Sequence, residues 1–213
     1  MMAVTLCYMS GSPYAWRAWL ALAHKGIEFT LRRMSYDAGD FKSEEFLKLT
    51  PRKRVPVLID DDFVLYESAA IVDYVEERWP RPSLFSADLH RRAIERRLIR
   101  EVDQYFADCL ERLVGAVLFT PEEKREPARI AAICSDLKDE YALWETVIAG
   151  DYLSGALSAA DYTLYPLSAL IERMASRNPT LIRSDLPGSK IAAWMRRMQA
   201  LPVVQKTWPP HWK

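Results

Sequence analysis

The hydrophobic periodicity of this chain changes once, at Pro80-Arg81-Pro82-Ser83, and that change limits the possible folds more than any other feature. Before it, short apolar runs typical of strands alternate with runs of helical period. After it, only the helical period remains. Because two prolines within three residues cannot continue a helix, we place a domain boundary there. The sequence predicts a first domain at residues 1–80, a linker at 81–88 and an all-helical domain at 89–213.

Strand and helix patterns follow each other through the first domain in the order β-α-β-α-β-β-α. A short apolar run predicts a strand over Val4–Tyr8, and the next run predicts a helix over Pro13–Lys25 that ends at Gly26. Later patterns predict a strand at 28–34, a short helix at 43–49, a hairpin of 57–59 with 63–65, and a helix at 68–79. This order is typical of a thioredoxin-like sandwich.

Helical periodicity dominates the second domain. One helix is predicted to begin at 158–161, where a serine precedes a carboxylate by three residues as in a capping box, and to contain Pro166. Another is predicted at 189–198. Two long amphipathic helices are predicted from apolar residues at steps of three and four: Ile94, Leu98, Val102, Tyr105, Cys109, Leu113; and Ile130, Ile133, Leu137, Tyr141, Trp144, Ile148. The fold class is therefore α/β followed by an all-helical bundle.

Composition excludes several functional classes. Lys and Arg together number 29, as do Asp and Glu, so no net field draws the chain to nucleic acid or an acidic membrane. The three cysteines, Cys7, Cys109 and Cys134, are far apart and lack metal-ligand spacing, which suits a reducing cytosol. The start lacks the pattern of a secretory signal, and no apolar stretch approaches 18 residues. We therefore expect a soluble cytoplasmic protein that needs no metal or nucleotide.

The tetrapeptide Ser12-Pro13-Tyr14-Ala15 occupies the strand-to-helix turn where a thioredoxin-like domain would carry C-x-x-C. Without those cysteines the turn cannot cycle a disulfide, but the positive end of a helix dipole still favours a bound thiolate. The Ser12 hydroxyl could donate to such a thiolate, which is worth roughly 1.5–3 kcal/mol. Alternatively, Ser12 only caps the helix, with Pro13 in its first turn.

Two further features belong to the same domain. Proline opens an apolar strand in Arg54-Val55-Pro56-Val57, where a cis bond would turn the Val55 backbone towards an extended peptide ligand. The alternative is an ordinary proline at a strand start. Glu67-Ser68 opens the next helix, where the serine and free N–H groups could hold a carboxylate while Glu67 attracts an ammonium group. The alternative is an ordinary helix start.

The order and spacing of these motifs resemble the glutathione transferase superfamily over essentially the whole chain. Ser-Pro-Tyr is followed by Arg-Val-Pro and then by Tyr-Glu-Ser. The segments similar to the serine-type tau and zeta classes are Ser12 to Arg17, Ala21 to Gly26, Leu49 to Pro56 and Tyr66 to Ile71, and the helix start at Ser158 to Asp161 is similar to that of the family's helical domain.

The resemblance implies a role for each motif. Ser12 would stabilise the glutathione thiolate, and Val55 would pair with the cysteinyl backbone ahead of a cis Pro56. The Glu67-Ser68 pair would hold the γ-glutamyl end of the tripeptide. Arg54 replaces the lysine or glutamine common at its position and could meet the glycyl carboxylate, although a long cation beside a strand is more often a solvated group.

Other residues near the turn compete with Ser12. In other classes of the superfamily a tyrosine near the end of the first strand activates the thiol, so Tyr8 is the second candidate, although strand alternation explains it as a packed aromatic. Ser10 is interpreted as a loop residue. Cys7 lies two residues too early for the cysteine-type classes and inside an apolar run, so it is interpreted as core.

The resemblance implies an enzyme that conjugates glutathione to a hydrophobic, small-molecule electrophile bound between the domains. Helix phase predicts that this second substrate contacts Tyr105, Cys109 and Leu113 of the helical domain, and Tyr14 of the first domain is a further candidate. It also implies a homodimer in which each first domain meets the partner's helical domain. One alternative is a zeta-type isomerase that uses glutathione as cofactor, but Pro13 and Tyr14 replace two members of the zeta Ser-Ser-Cys pattern. Another is a non-catalytic partner of RNA polymerase resembling stringent starvation protein A.

Two patterns remain outside these motifs. The arginines between 91 and 100 have acidic residues at four-residue spacing, which predicts a salt-bridged, exposed helix face more readily than a nucleic-acid site. The tryptophan-rich segment 208–212 could form a wall over the site or pack on the helical bundle, and we expect packing on the bundle.

Overall fold

A four-stranded sheet with its helices forms the first part of the computed structural model, which describes residues 4–212. The elements are β1 (Val4–Tyr8), α1 (Pro13–Lys25), β2 (Thr30–Arg33), α2 (Glu44–Leu49), β3 (Val57–Asp60), β4 (Phe63–Tyr66) and α3 (Ser68–Arg78). Their order is the predicted one, and the thioredoxin-like topology is confirmed. The second strand is shorter than predicted because the residues before Thr30 do not join the sheet.

The strands lie in the order β2-β1-β3-β4, with β1 parallel to β2 and antiparallel to β3. Cys7 lies opposite Val57, and Val57 lies opposite Tyr66 on β4. Side chains alternate between the two faces of a strand. Cys7 and Val57 are accordingly both fully buried in a cluster with Phe41 and Phe46.

Helix α1 begins and ends at the predicted residues, for local reasons. Ser12 has extended backbone angles, and its hydroxyl oxygen accepts a hydrogen bond from the Ala15 amide. Pro13 follows in the first turn, where its missing N–H costs nothing. At the other end Gly26 adopts a φ of 67°, the left-handed conformation that commonly ends helices.

The second part of the described chain is helical. Its elements are α4 (Leu89–Glu101), a π-helical turn (Val102–Phe106), α5 (Ala107–Val117), α6 (Pro127–Val147), α7 (Ala159–Arg177) and α8 (Ser189–Ala200). The predicted all-helical architecture is confirmed.

A π-helical turn interrupts the first predicted long helix. Four of the six residues in the predicted apolar stripe are buried: Leu98, Val102, Cys109 and Leu113. Ile94 and Tyr105 are instead 46% and 52% exposed. Tyr105 lies inside the π turn, which holds more residues than an α turn and so displaces its side chains around the axis; the neighbouring Phe106 is fully buried in its place.

The start of α7 is the predicted capping box. Asp161 is fully buried, and its carboxylate accepts hydrogen bonds from the Ser158 amide at 2.9 Å and the Ser158 hydroxyl at 3.1 Å. It also accepts from the Leu153 amide at 3.0 Å and the Trp194 indole at 2.9 Å. One carboxylate thus joins the helix start to the preceding loop and to α8.

Contacts divide the chain into a first unit of Met1–Phe85 with Leu201–Lys213 and a second unit of Ser86–Ala200. From the sequence, we assigned residues 201–213 to the helical domain and expected the tryptophan-rich segment to pack on the helical bundle. Instead, a final helix, α9 (Pro202–Thr207), and the residues after it pack on α1. The reason is Trp16, whose ring meets those of Trp208 and Trp212.

Helix α4 is less regularly salt-bridged than the charge pattern predicts. Arg97 and Glu101 approach to 3.7 Å, but Glu95 is buried and accepts hydrogen bonds from the Ser86 amide and the Ser154 hydroxyl. Asp88 caps the helix by accepting a hydrogen bond from a main-chain amide.

Within residues 4–212, no helix is both long and apolar enough to cross a membrane.

We predict that Asp161→Asn lowers the free energy of unfolding by about 1–3 kcal/mol. All the groups around the carboxylate donate hydrogen bonds, so an amide NH₂ group must face a donor in either orientation. Urea denaturation measures the change. The exposed Asp139→Asn on α6 is the matched control and should change stability by less than about 0.5 kcal/mol. Equal losses in both variants would contradict this explanation.

Candidate functional site

The register of the sheet brings the three predicted motifs to one end of it. The Cys7–Val57 pairing sets the end of β1 beside the start of β3. The Val57–Tyr66 pairing sets the end of β4 beside the same point. The turn after β1, the proline before β3 and the helix start after β4 therefore converge, as a single binding site requires.

Ser12 lies at the N-terminus of the 13-residue helix α1 and is 9% exposed. Its Oγ accepts the Ala15 N–H at 3.3 Å, which uses an oxygen lone pair and leaves the hydroxyl hydrogen able to donate. Capping and thiolate binding are therefore compatible roles. The helix dipole adds a favourable field of about 0.3–1 kcal/mol for an anion at this position.

The segment before β3 has the backbone form that the resemblance implies. The Val55–Pro56 peptide bond is cis. Val55 is half-buried and Pro56 is buried, whereas the Arg54 side chain is exposed. The two interpretations of Arg54, a carboxylate contact and a solvated cation, both fit this exposure.

Glu67 and Ser68 connect β4 to α3 in an unusual conformation. Glu67 is exposed and has a φ of 72°, a region that non-glycine residues enter at a cost of about 1–3 kcal/mol and that is enriched at ligand clamps. Ser68, the first residue of α3, is buried. Its Oγ accepts a hydrogen bond from Nη2 of Arg17 at 2.5 Å.

Arg17 lies beside Ser68, and the sequence prediction did not single it out. It is only 3% exposed, although it carries a full charge, and it joins α1 to the start of α3. Buried arginines normally bind a specific partner. The sequence signal was a charged residue among the apolar side chains of α1, between Trp16 and Ala18.

The competing residues near the turn have other contacts. Tyr8 is 8% exposed, and its ring packs on that of Trp19 at 5.2 Å between centroids. Ser10 bonds to His211. Cys7 is fully buried, and burial raises the pKa of its thiol.

The four residues predicted to contact a second substrate belong to both units of the chain. Tyr14 is half-buried in the first unit. In the second unit, Tyr105 is exposed, Cys109 is 6% exposed and accepts a hydrogen bond from an arginine of its own helix, and Leu113 is fully buried. They do not form one cluster within either unit.

Among residues 4–212, no three His, Cys, Asp or Glu side chains come together in an arrangement that could hold a metal ion.

A family model described as the N-terminal domain of glutathione S-transferase matches residues 11–78. Glutathione S-transferase 1 of Dianthus caryophyllus is 41% identical over 83 residues, 39% of this chain and 38% of that protein. The maleylacetoacetate isomerase of Rattus norvegicus is 33% identical over 167 residues, 76% of this chain and 75% of that protein. A stringent starvation protein A homolog of Haemophilus ducreyi is 28% identical over 72% of this chain and 68% of that protein.

Solved structures agree with these matches. A theta class glutathione S-transferase from Xanthomonas axonopodis pv. citri, solved with glutathione bound, has a TM-score of 0.81 and 27% identity and covers 98% of each chain. A glutathione S-transferase from the Antarctic clam Laternula elliptica has a TM-score of 0.80 and 27% identity, covering 99% of this chain and 94% of the other.

We predict that the native protein reacts slowly with a chromogenic disulfide reagent and that all three thiols react after unfolding. Cys7, Cys109 and Cys134 are buried, and desolvation raises the pKa of each thiol, so little thiolate is available at neutral pH. The rates in buffer and in denaturant measure the difference. A thiol that reacts rapidly in the folded protein would instead indicate cysteine-based chemistry.

Proposed function

Since this chain belongs to the glutathione transferase superfamily of enzymes, we propose that it activates the glutathione thiol for attack on a hydrophobic electrophile. The observation that carries this proposal is the position of Ser12. Its hydroxyl stands at a helix N-terminus with the oxygen engaged by the helix and the hydrogen available for an external sulfur. The chain would thus be a serine-type member of the superfamily.

Thiol activation follows from the energies of two interactions. A hydrogen bond to a charged group contributes roughly 1.5–3 kcal/mol, and the helix dipole contributes about 0.3–1 kcal/mol. One pKa unit corresponds to about 1.4 kcal/mol, and an unperturbed thiol has a pKa near ~8.5. Together these interactions would leave much of the bound thiol ionised at neutral pH.

The remaining motifs would hold the rest of the tripeptide. Val55 would pair with the cysteinyl backbone. Ser68 would bind the γ-glutamyl carboxylate, with the Arg17 guanidinium directly behind its hydroxyl, while Glu67 would attract the ammonium group. Arg54, on the exposed side of this segment, is the group available for the glycyl carboxylate.

The reaction then requires little further chemistry from the protein. The thiol proton passes to solvent, the sulfur forms a bond to the electrophilic carbon, and the electron pair leaves with the displaced group or moves into an adjacent π system. Pre-ionisation and orientation of the nucleophile supply the rate enhancement. We propose no role for a metal or a nucleotide.

A glutathione-dependent isomerase is the second candidate, and the alignment with the rat maleylacetoacetate isomerase favours it. In that reaction the thiolate would add to the substrate and leave again, so glutathione would not be consumed. The zeta motif of the turn is absent here, since Pro13 and Tyr14 replace its second and third residues. We therefore place conjugation first.

We predict that Ser12→Ala lowers kcat/KM for thiol conjugation by about 10- to 100-fold and raises the pKa of bound glutathione. The thiolate's ultraviolet absorbance, recorded as a function of pH, measures that pKa. Ser12→Thr keeps a hydroxyl and should retain most of the activity. Tyr8→Phe tests the second candidate and should have little effect. A large loss in Tyr8→Phe with a normal Ser12→Ala would reverse the assignment.

The same preparations separate the functional classes. Glutathione consumption with an electrophile supports the transferase, and cis–trans isomerisation without consumption supports the isomerase. Failure to bind immobilised glutathione, together with co-purification of RNA polymerase, would support a protein like stringent starvation protein A, to which this chain is also similar.

We also propose that the chain acts as a homodimer in a reducing, cytoplasmic compartment. Its three free cysteines suit such a compartment. Each unit exposes large apolar side chains that a partner would cover: Phe63 in the first, and Leu89 and Ile94 at the start of the helical unit.

We predict that light scattering at micromolar concentration gives twice the 24.6 kDa chain mass. Ile94→Glu should shift the protein towards monomer, because a charge in an interface loses its hydration. Leu143→Glu changes another exposed apolar side chain, on α6, and is the matched control. A monomeric wild type would overturn the proposed dimer.

A further inference from the structure

The link between β1 and α1 is a tight turn whose geometry depends on one glycine. The Ser12 amide donates to the Met9 carbonyl at 3.1 Å, which closes a four-residue turn. Gly11 is the third residue and has a φ of 86°, as a type II turn requires. Glycine has the widest conformational freedom of any residue, so Gly11 is the point at which this turn can most easily change conformation.

His211, near the other end of the chain, lies against this turn. Its Nδ1 is 2.7 Å from the Ser10 hydroxyl oxygen. A Cβ atom built on Gly11 would lie 2.8 Å from Cε1 of His211, closer than real Cβ contacts, and 3.0 Å from its Nε2. The imidazole thus bonds to one residue of the turn and fills the space beside the next.

The segment that carries His211 is anchored on the helix that follows the turn. The Trp16 indole of α1 donates to the Thr207 hydroxyl at 2.8 Å. The same ring makes edge contacts with Trp208 and Trp212, at 5.4 and 5.6 Å between centroids. Because these residues flank His211, their contacts hold the imidazole beside the start of α1.

We propose that His211 is a positioning residue that acts through Ser10 and Gly11 to fix the direction of the Ser12 hydroxyl. This inference rests on the proposed role of Ser12 in thiol activation. The hydrogen bond to Ser10 and the close packing against Gly11 restrict the movement of the turn. Small displacements of a positioned catalytic group produce large losses of rate, so the contact affects catalysis although His211 touches no reacting atom.

The test is a double-mutant cycle of Ser10→Ala and His211→Ala in the full-length chain. Each single variant should lower kcat/KM for conjugation by about three- to tenfold and raise the pKa of bound glutathione. The double variant should lose no more than either single one, because both remove the same contact. His211→Asn keeps a hydrogen-bonding atom near the position of Nδ1 and should recover most of the activity.

Two controls isolate this effect from folding. His90→Ala removes an exposed histidine of the helical unit and should match the wild type. Urea unfolding of all variants shows whether activity losses follow stability, and a merely structural contact would lower stability without changing the pKa of the bound thiol.

The outcomes separate this inference from the proposed function. A wild type that does not lower the thiol pKa of glutathione overturns both. A wild type that lowers it, with His211→Ala indistinguishable from His90→Ala, overturns only the positioning role. Additive losses in the double variant would also overturn it, since Ser10 and His211 would then act independently.

Discussion

The register that pairs β1 with β3 and β3 with β4 is the constraint on which the site depends. A slip of one residue would turn every side chain of a strand to the opposite face of the sheet. Cys7 and Val57 favour this register, because both are fully buried beside Phe41 and Phe46 and a slip would remove them from that cluster. An apolar cluster therefore sets the positions of the polar groups at the sheet end.

Two helix starts at this end of the sheet suit the binding of an anionic ligand. Ser12 begins α1 and Ser68 begins α3, so both place hydroxyl and main-chain donors at the positive ends of helix dipoles. Arg17 connects them through its bond to Ser68 and adds a buried positive charge. A ligand with a thiolate and separate carboxylates matches this distribution better than a metal or a disulfide partner does.

Local signals predicted the parts of the fold that depend on neighbouring residues. Ser12 and Gly26 set the ends of α1, and the Ser158 capping box sets the start of α7, because each acts within a few residues of the chain. The candidate residues at helix starts were found for the same reason.

Contacts between distant parts of the chain were missed. Arg17 was missed because its burial depends on Ser68, 51 residues away. The packing of α9 on the first unit was missed because it depends on the distant Trp16. The exposure of Tyr105 was not predicted because no residue pattern in the sequence marks the π turn.

The turn itself explains why one side chain would carry most of the thiol activation. A helix N-terminus normally offers several free N–H groups to an anion. Here Pro13 has no N–H, and the Ala15 N–H is taken by the Ser12 oxygen. With these two main-chain donors unavailable, the proposed thiol activation would depend more strongly on the Ser12 hydroxyl. The Ser-Ser-Cys pattern of the zeta class keeps more donors at the same turn, so the substitution by Pro13 and Tyr14 favours a site that binds and delivers one thiolate through a single hydroxyl.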